Sequence, residues 1–262
     1  MKERADITVV KRGLAESLQK AQALIMAGLV FSEDRRIEKS GHMLDPGQEI
    51  YLKEKLPYVG RGGLKLAEAL EKMDINVMGK TAADLGSSTG GFTDCLLQKG
   101  ANRVYAVDVD TRQIDYRLRR DSKVILIEKN ARYLEKRDFS DNLDIVTTDL
   151  SFISVLKVLP AVKGFLGDGE LISLIKPQFE VGKNQVGKKG IVRNPALHEE
   201  VLNRIIIAAG KIGFYMKKLI KTSVRGQKGN QEFFILWSLK GKPLSPARVS
   251  EAIKETVWNE KN

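Results

Sequence analysis

Short apolar runs alternate with helical stretches between residues 81 and 176, and this alternation is the strongest constraint on the fold. The runs lie at 81–86, 103–110, 124–130, 143–150 and 170–176. Among the stretches between them, "GFTDCLLQKG" and "ISVLKVLPAVKGF" have the periodicity of helices. Strands that alternate with helices form βαβ units, whose strands pair in parallel beneath helices on both faces. The sequence therefore predicts an α/β fold with a Rossmann-like, doubly wound sheet.

The end of the chain departs from this alternation. "HEEVLNRIIIAAGKIG" is periodic as a helix, and "KKLIKTSVR" and "EFFILWSLK" are typical of strands. A short connection, "GQKGN", joins the two strands, and strands joined so closely pair antiparallel. We therefore expect an antiparallel hairpin at one edge of the sheet.

The sequence predicts a separate small domain in the first part of the chain. "LAESLQKAQALIMAG" predicts a helix closed by Gly28, "LVFSEDRRIEK" predicts a hairpin around 32–34, and "DPGQEIYLKEK" predicts a turn and a strand. "LPYVGRGG", residues 56–63, combines proline with three glycines and predicts a linker. The expected organisation is a small α+β domain over 1–59 and a larger domain over 60–262.

The charge of the chain points to its class of partner. The formal net charge is +11, which favours a polyanion, either nucleic acid or an anionic membrane surface. No run approaches the ~20 apolar residues of a spanning helix, and "MKERADITVV" has no apolar signal core. We expect a nucleic-acid partner, no stable membrane association and a cytoplasmic location.

Cysteine and histidine are too scarce to suggest a disulfide or a metal site. The single cysteine, Cys95, permits no internal disulfide and fits a reducing compartment. The two histidines, His42 and His198, are far apart in sequence and have no cysteine companions. We therefore expect no metal.

The segment "DLGSSTGGF" follows the first predicted strand of the sheet, at an end where open parallel sheets bind ligands. Its glycines let a ligand approach the backbone closely, and the next helix offers free N–H groups. The spacing differs from the G-x-G-x-x-G of a dinucleotide site. "GSSTG" matches a nucleophile elbow around Ser88, but that elbow normally follows several earlier strands of its sheet, and His198 is the only later histidine.

Two interpretations of this segment remain, a plain structural turn and a site for S-adenosylmethionine. The glycine pattern after Asp84 suits a zwitterionic amino acid group better than two phosphates. Asp108 lies about 20 residues further on, where an acidic residue binds ribose hydroxyls, and Asn130 is expected near the adenine. The predicted cofactor residues are Asp84, Gly86, Ser87, Ser88, Gly90, Gly91, Phe92, Asp108, Asn130 and Asp149.

A basic loop, "GKNQVGKK", occupies residues 182–189. It misses the P-loop pattern by one residue, because Lys189 stands where serine or threonine would bind magnesium. We interpret it as a solvated loop that contacts RNA phosphates through Lys183, Lys188 and Lys189.

Several longer motifs together resemble one family. They are "YVGRGGLKL", "DLGSSTGGFTD", "TTDLSFIS", "IKPQFEVGKNQVGKKGIVRNPALH" and "GNQEFF", with "RADITVVKRGLAESLQKAQALIMAGLV" in the small domain. They are similar to the hemolysin A (TlyA) family of ribosomal RNA 2′-O-methyltransferases. The resemblance implies an alpha-L RNA-binding domain followed by an FtsJ-like methyltransferase domain that uses S-adenosylmethionine. One departure is "SEDR", which stands at a hairpin tip where the family has Asn-Gly.

The resemblance also implies a catalytic Lys-Asp-Lys-Glu tetrad, here Lys65, Asp149, Lys176 and Glu232. A ribose 2′-hydroxyl is a poor nucleophile until its proton is removed or its oxygen is well oriented. Lys176 is the candidate for that task, either as a base or only as an orienting group. A neighbouring lysine would favour the neutral amine that a base requires, whereas the two carboxylates would oppose it.

The same resemblance places RNA docking on the small domain through Lys11, Arg12, Ser17 and Lys20, with Arg61 beside the larger domain's site. Ordinary solvated charge remains the alternative for Lys11 and Arg12. The expected substrate is a cytidine ribose in ribosomal RNA, free or within a ribosomal subunit, and the oligomeric state is left open. The competing functions are a non-catalytic ribosome assembly factor and a hemolysin that acts on membranes.

Overall fold

The computed structural model describes residues 2–33, 35–52, 56–182, 185–187 and 190–259. The chain divides into two compact units, Met1–Leu56 and Pro57–Asn262. Among the described residues, no helix is both long and apolar enough to cross a membrane.

The first unit is a small α+β domain. Its elements are β1 (Glu3–Arg4), α1 (Ala5–Lys11), α2 (Leu18–Met26), β2 (Val30–Ser32), β3 (Arg35–Arg36), β4 (Met43–Leu44) and β5 (Tyr51–Leu52). β2 pairs antiparallel with both β3 and β5, and β1 pairs with β4. The two helices bury an apolar stripe that includes Ala5, Val9, Ala21 and Ile25. Helix α2 begins later than the predicted helix, because the Ser17 side chain accepts the Lys20 backbone N–H and caps it.

The second unit contains one seven-stranded sheet. Its strands are β6 (Thr81–Leu85), β7 (Arg103–Asp108), β8 (Val124–Glu128), β9 (Ile145–Thr148), β10 (Glu170–Ile175), β11 (Tyr215–Lys221) and β12 (Phe233–Ser238). Its helices are α3 (Arg61–Met73), α4 (Gly91–Gln98), α5 (Tyr116–Arg119), α6 (Leu159–Leu166), α7 (Pro177–Glu180), α8 (Pro195–Ile212) and α9 (Pro246–Trp258).

The strand order across the sheet is β11-β12-β10-β9-β6-β7-β8. Strands β6 to β10 pair in parallel, whereas β12 is antiparallel to both β10 and β11. The predicted α/β fold and its antiparallel hairpin are thus confirmed. The chain runs outward from β6 to β8 and then returns to β9 on the other side of β6. This reversal makes the carboxyl ends of β6 and β9 a topological switch point, where ligands bind in such sheets.

Helices cover both faces of the sheet, as the apolar pattern of the strands requires. Successive residues of β6, Ala82 and Ala83, belong to different apolar clusters because side chains alternate between the two faces. The Ala82 face packs against α3 and α4, and the Ala83 face packs against α6, α8 and α9. The inner strands β6, β7, β9, β10 and β12 are buried on both sides, which explains their nearly continuous apolar sequences, whereas the edge strands β8 and β11 are only partly buried.

The predicted linker at 56–63 is partly wrong, because α3 begins at Arg61 with Gly60 as its N-cap. The glycines of this segment serve close packing. A Cβ at Gly63 would overlap the side chain of Tyr58, and one at Gly91 in α4 would lie 3.0 Å from the Gly63 nitrogen. Glycine therefore lets the first turns of α3 and α4 approach each other, and α3 is held directly above the switch point.

Candidate active site

Two neighbouring cavities open at the carboxyl ends of β6 and β9. The first, of about 340 Å³, is called the lysine cavity because Lys65 and Lys176 line it. The second, of about 640 Å³, is called the Asp108 cavity. Both are lined by a shared set of residues, namely Gly86, Ser88, Asp149, Ser151 and Phe152. A ligand that spans both cavities would therefore cross the turn after β6.

The four residues of the predicted tetrad all line the lysine cavity, as two ion pairs. Lys65 Nζ lies 2.6 Å from Glu232 Oε2, and Lys176 Nζ lies 2.5 Å from Asp149 Oδ1. The Lys65 and Glu232 side chains are only 10% and 2% exposed, so this pair is almost fully withdrawn from water. Lys176 also donates to Ser151 Oγ over 3.1 Å. Each ammonium group thus has a carboxylate partner of its own.

The sheet topology explains why residues so distant in sequence meet here. Asp149 follows β9 directly, and its N–H donates to the Leu85 carbonyl at the end of β6. Lys176 follows β10 as the N-cap of α7. Because β12 runs antiparallel to β10 with Ile175 opposite Phe233, Glu232 enters the sheet beside Lys176. Lys65 comes from above on α3.

The turn after β6 exposes backbone that no side chain covers. Gly86 has φ +86°, and a Cβ there would lie 2.6 Å from the Asp149 carbonyl oxygen. Ser88 also has a positive φ, and its N–H donates to Asp108 Oδ2 over 2.8 Å. Ser87 is buried, lines the lysine cavity, and its Oγ has no hydrogen-bond partner within the described part of the chain. An unpaired buried hydroxyl at a cavity wall marks a place for a polar ligand group.

Asp84 lies behind the cavity wall and not on it. Its side chain is fully buried, and it accepts hydrogen bonds from the Thr93 and Thr147 hydroxyls. Burial raises the pKa of Asp84 to about 7, and the negative charge of Asp149 adds to the rise. Asp84 lines neither cavity, because its side chain is buried in the interior of β6, and its contact with a cofactor stays a prediction.

The other predicted cofactor residues divide between the two cavities. Gly86 and Ser88 line both, Ser87, Gly91 and Phe92 line the lysine cavity, and Asp108 and Asn130 line the Asp108 cavity. Gly90 lines neither cavity. Its φ is +94°, and a Cβ there would overlap Leu118 Cδ1, so glycine is needed here for packing. Asp108 and Asn130 already accept hydrogen bonds from nearby backbone groups, Asp108 from the Ser88 N–H and Asn130 from the Arg132 N–H. The Asp108 cavity therefore combines a carboxylate and an amide with apolar walls.

The sequence did not predict an aromatic pair at the mouth of the site. Phe152 is 89% exposed with φ +62°, and its ring lies 4.9 Å from that of Phe179. The Lys176 Nζ lies 5.9 Å from the centre of the Phe179 ring. The only sequence signal was a phenylalanine three residues after each of Asp149 and Lys176. An exposed aromatic ring beside charged groups is suited to stacking on a nucleic-acid base.

The residues predicted to bind RNA are only partly free to do so. Lys11 pairs with Glu3, Lys20 lies 3.7 Å from Glu16, and Ser17 caps α2. Arg12 is exposed on the first unit, and Arg61 lines the lysine cavity. Lys183, Lys188 and Lys189 lie outside the described residues. Within the described ranges, no group of histidine, cysteine or acidic side chains has the arrangement of a metal site.

Comparison with known proteins agrees with this geometry. The FtsJ-like methyltransferase family matches residues 58–239, and the S4 domain family matches residues 3–50. YqxC of Bacillus subtilis, named as a candidate rRNA methyltransferase, is 44% identical over 89% of this chain and 85% of that protein. The 16S/23S rRNA (cytidine-2′-O)-methyltransferase TlyA of Mycobacterium tuberculosis is 36% identical, with 97% of each chain covered. The solved structure of a candidate hemolysin from Streptococcus thermophilus is 41% identical, has a TM-score of 0.74, and matches over 97% of this chain and 95% of that one.

Proposed function

Because the chain belongs to the hemolysin A (TlyA) family of FtsJ-like methyltransferases, we propose that it methylates a ribose 2′-hydroxyl of ribosomal RNA, with a cytidine as the expected nucleotide. The observation that carries the proposal is the pair of lysine–carboxylate contacts at the switch point, beside an exposed aromatic ring. The S4 domain supplies a second RNA-binding surface. A ribosomal RNA substrate also implies a cytoplasmic site of action.

The cavities have the features that S-adenosylmethionine requires. Gly86 forms a cradle that a Cβ would fill, and the unpaired Ser87 hydroxyl suits the polar amino acid group. Asp108 and Asn130 suit the ribose hydroxyls and the adenine in the second cavity. Bound there, the sulfonium donor supplies an electrophilic methyl group, so the protein need not activate a leaving group. The task left to the chain is alignment of the acceptor oxygen.

Lys176 is placed to perform that alignment. Its Nζ contacts Asp149 Oδ1 at 2.5 Å and donates to Ser151 Oγ over 3.1 Å, so the side chain is held in one position at the cavity wall. A lysine held in this way can donate a hydrogen bond to the acceptor oxygen. We therefore assign Lys176 to holding the 2′-oxygen in line with the methyl group and the sulfur of the donor. Lys65 and Glu232 contribute the neighbouring charges of the site. The hydroxyl proton leaves as the new carbon–oxygen bond forms, with Asp149 as the adjacent acceptor.

Phe152 and Arg61 extend the site toward the RNA. Phe152 offers a ring face to a base that has left its stack, and Arg61 places a cation beside the same cavity. Stacking of this kind accepts any base, so the identity of the nucleotide must depend on further contacts.

The deciding experiment gives the protein labelled S-adenosylmethionine with separated ribosomal subunits and their free RNAs, followed by mass spectrometry of the nucleosides. We expect label on a ribose 2′-oxygen, and none with Lys176→Ala. Label on a base would refute the chemistry. Subunit binding without label would favour an assembly factor, and leakage from liposomes treated with pure protein would favour a hemolysin.

A further inference from the structure

Gln178 lies among the four charged residues, and the proposed chemistry gives it no task. It is the second residue of α7, two positions after Lys176, and it lines the lysine cavity. Its Nε2 donates to Oε1 of Glu232 over 3.4 Å. The other oxygen of the same carboxylate accepts from Lys65 at 2.6 Å. Glu232 therefore connects the amide of Gln178 to the ammonium group of Lys65.

The Glu232 carboxylate fixes which way the amide points. An ionised carboxylate only accepts hydrogen bonds, so the nitrogen of Gln178 must face it. The Gln178 Oε1 is then left as an acceptor, and it is buried with no partner among the residues that the structure describes. A glutamine kept for packing alone would pair both ends, because an unpaired buried acceptor is destabilising. The amide nitrogen is thus the end that the site uses.

Glu232 has few other restraints on its position. Its side chain is 2% exposed, so water does not hold it. The Gly226 backbone packs against Glu232 Oε1, since a Cβ there would overlap that oxygen, but its N–H donates to the Asn230 carbonyl and not to the carboxylate. The described hydrogen bonds to the carboxylate come from Lys65 and Gln178. Loss of the amide would leave one buried oxygen of Glu232 unpaired.

We propose that Gln178 is a positioning residue of the active site, which holds the Glu232 carboxylate so that Lys65 stays in place. The inference rests on the proposed methylation of RNA. It predicts a larger effect on turnover than on the binding of S-adenosylmethionine, because neither Gln178 nor Glu232 lines the Asp108 cavity, to which the ribose and adenine are assigned.

Gln178→Glu is the sharpest test, since it keeps the size of the side chain and places a second carboxylate against Glu232. Two carboxylates so close do not both ionise freely, so the pair shares a proton and loses it as the pH rises. We expect turnover at least tenfold below wild type at pH 8, with the ratio to wild type recovering toward pH 6. Gln178→Met, which has no donor, should lower turnover by a similar factor at both pH values.

Gln98→Glu is the matched control. Its Nε2 also donates to a carboxylate, Asp94, over 2.9 Å, but Gln98 is exposed and lines neither cavity. It should keep the wild-type pH–rate profile.

Three results would overturn the inference. The first is a Gln178→Glu profile parallel to that of the wild type between pH 6 and pH 8. The second is a Gln178→Met variant in which activity and unfolding midpoint fall together, since that pattern indicates a merely structural role. In both cases the wild type still methylates RNA, so the proposed function stands. A wild type that transfers no methyl group to RNA ribose would refute both.

Discussion

Replacing Asp84 by asparagine should change the pH dependence of folding. In the folded chain burial raises the pKa of Asp84 from 3.8 to about 7. The folded state therefore holds this proton more tightly than the unfolded state does. The protonated form stabilises the fold below about pH 4, and this stabilisation is lost as the pH rises toward 7.

The size of the effect follows from the shift. About three pH units at ~1.4 kcal/mol each give about 4 kcal/mol over the whole window, of which about 3 kcal/mol falls between pH 5 and pH 7. Asparagine is neutral throughout, but it has one acceptor oxygen where the carboxyl group serves both Thr93 and Thr147. The lost hydrogen bond costs about 1 kcal/mol at every pH. At pH 5 the wild type has already lost about 1 kcal/mol of this stabilisation, and at pH 8 it has lost nearly all of it. Asp84→Asn should thus be about as stable as wild type at pH 5 and about 3 kcal/mol more stable at pH 8.

Urea unfolding at the two pH values measures this difference. Both tryptophans, Trp237 and Trp258, lie in the second unit, so their fluorescence follows the unit that contains Asp84. Asp168→Asn is the control, because that side chain is 82% exposed. If the difference between Asp84→Asn and wild type is the same at pH 5 and pH 8, the assignment of a proton to buried Asp84 is wrong.

Three further substitutions test the site. Lys176→Ala should lower methyl transfer about a hundredfold or more while calorimetry finds S-adenosylmethionine affinity within about twofold of wild type; wild-type turnover would contradict the aligning role. Asp108→Ala should weaken that affinity at least about tenfold, since it removes a charged acceptor and frees the Ser88 N–H; unchanged affinity would remove Asp108 from the cofactor site. Gly86→Ala should cost about 2–4 kcal/mol in urea unfolding, from its positive φ and the close Asp149 carbonyl. Gly241→Ala is the control, because Gly241 also has a positive φ but a Cβ there would meet nothing within 4 Å; it should cost only about 1–2 kcal/mol. Equal losses of stability in the two variants would refute a close approach of the Asp149 carbonyl to Gly86.

Much of the fold could be predicted because the inner strands of its sheet are buried on both faces. Each apolar run between 81 and 176 became a strand with its predicted position within a few residues. The resemblance to a known family indicated the tetrad, whose members stand in specific motifs at strand ends or, for Lys65, near the start of α3. The motifs do not indicate which lysine pairs with which carboxylate. The structure shows that Lys65 pairs with Glu232 and Lys176 with Asp149.

The errors have identifiable physical causes. Glycine at 60–63 indicated a linker, yet the same residue type is required where two helices pack closely, and the sequence does not distinguish these uses. The sequence also does not show that the Asp84 side chain lies behind the cavity wall, where it accepts hydrogen bonds from the Thr93 and Thr147 hydroxyls, so its contact with the cofactor stays a prediction. Phe152 was not predicted at all, because the exposure of a phenylalanine in a loop depends on the path of that loop.

The insertion of β12 between β10 and β11 has a consequence for protein synthesis. Lys65 and Glu232 are 167 positions apart, and their contact depends on β12 having joined the sheet. A chain still being translated carries Lys65, Asp149 and Lys176 long before Glu232 and β12 leave the ribosomal tunnel. Because non-local strand pairing is slow to form, the lysine cavity stays incomplete until β12 has been synthesised and has joined the sheet. A nascent chain that ends before β12 therefore has the other three tetrad residues without the carboxylate partner of Lys65.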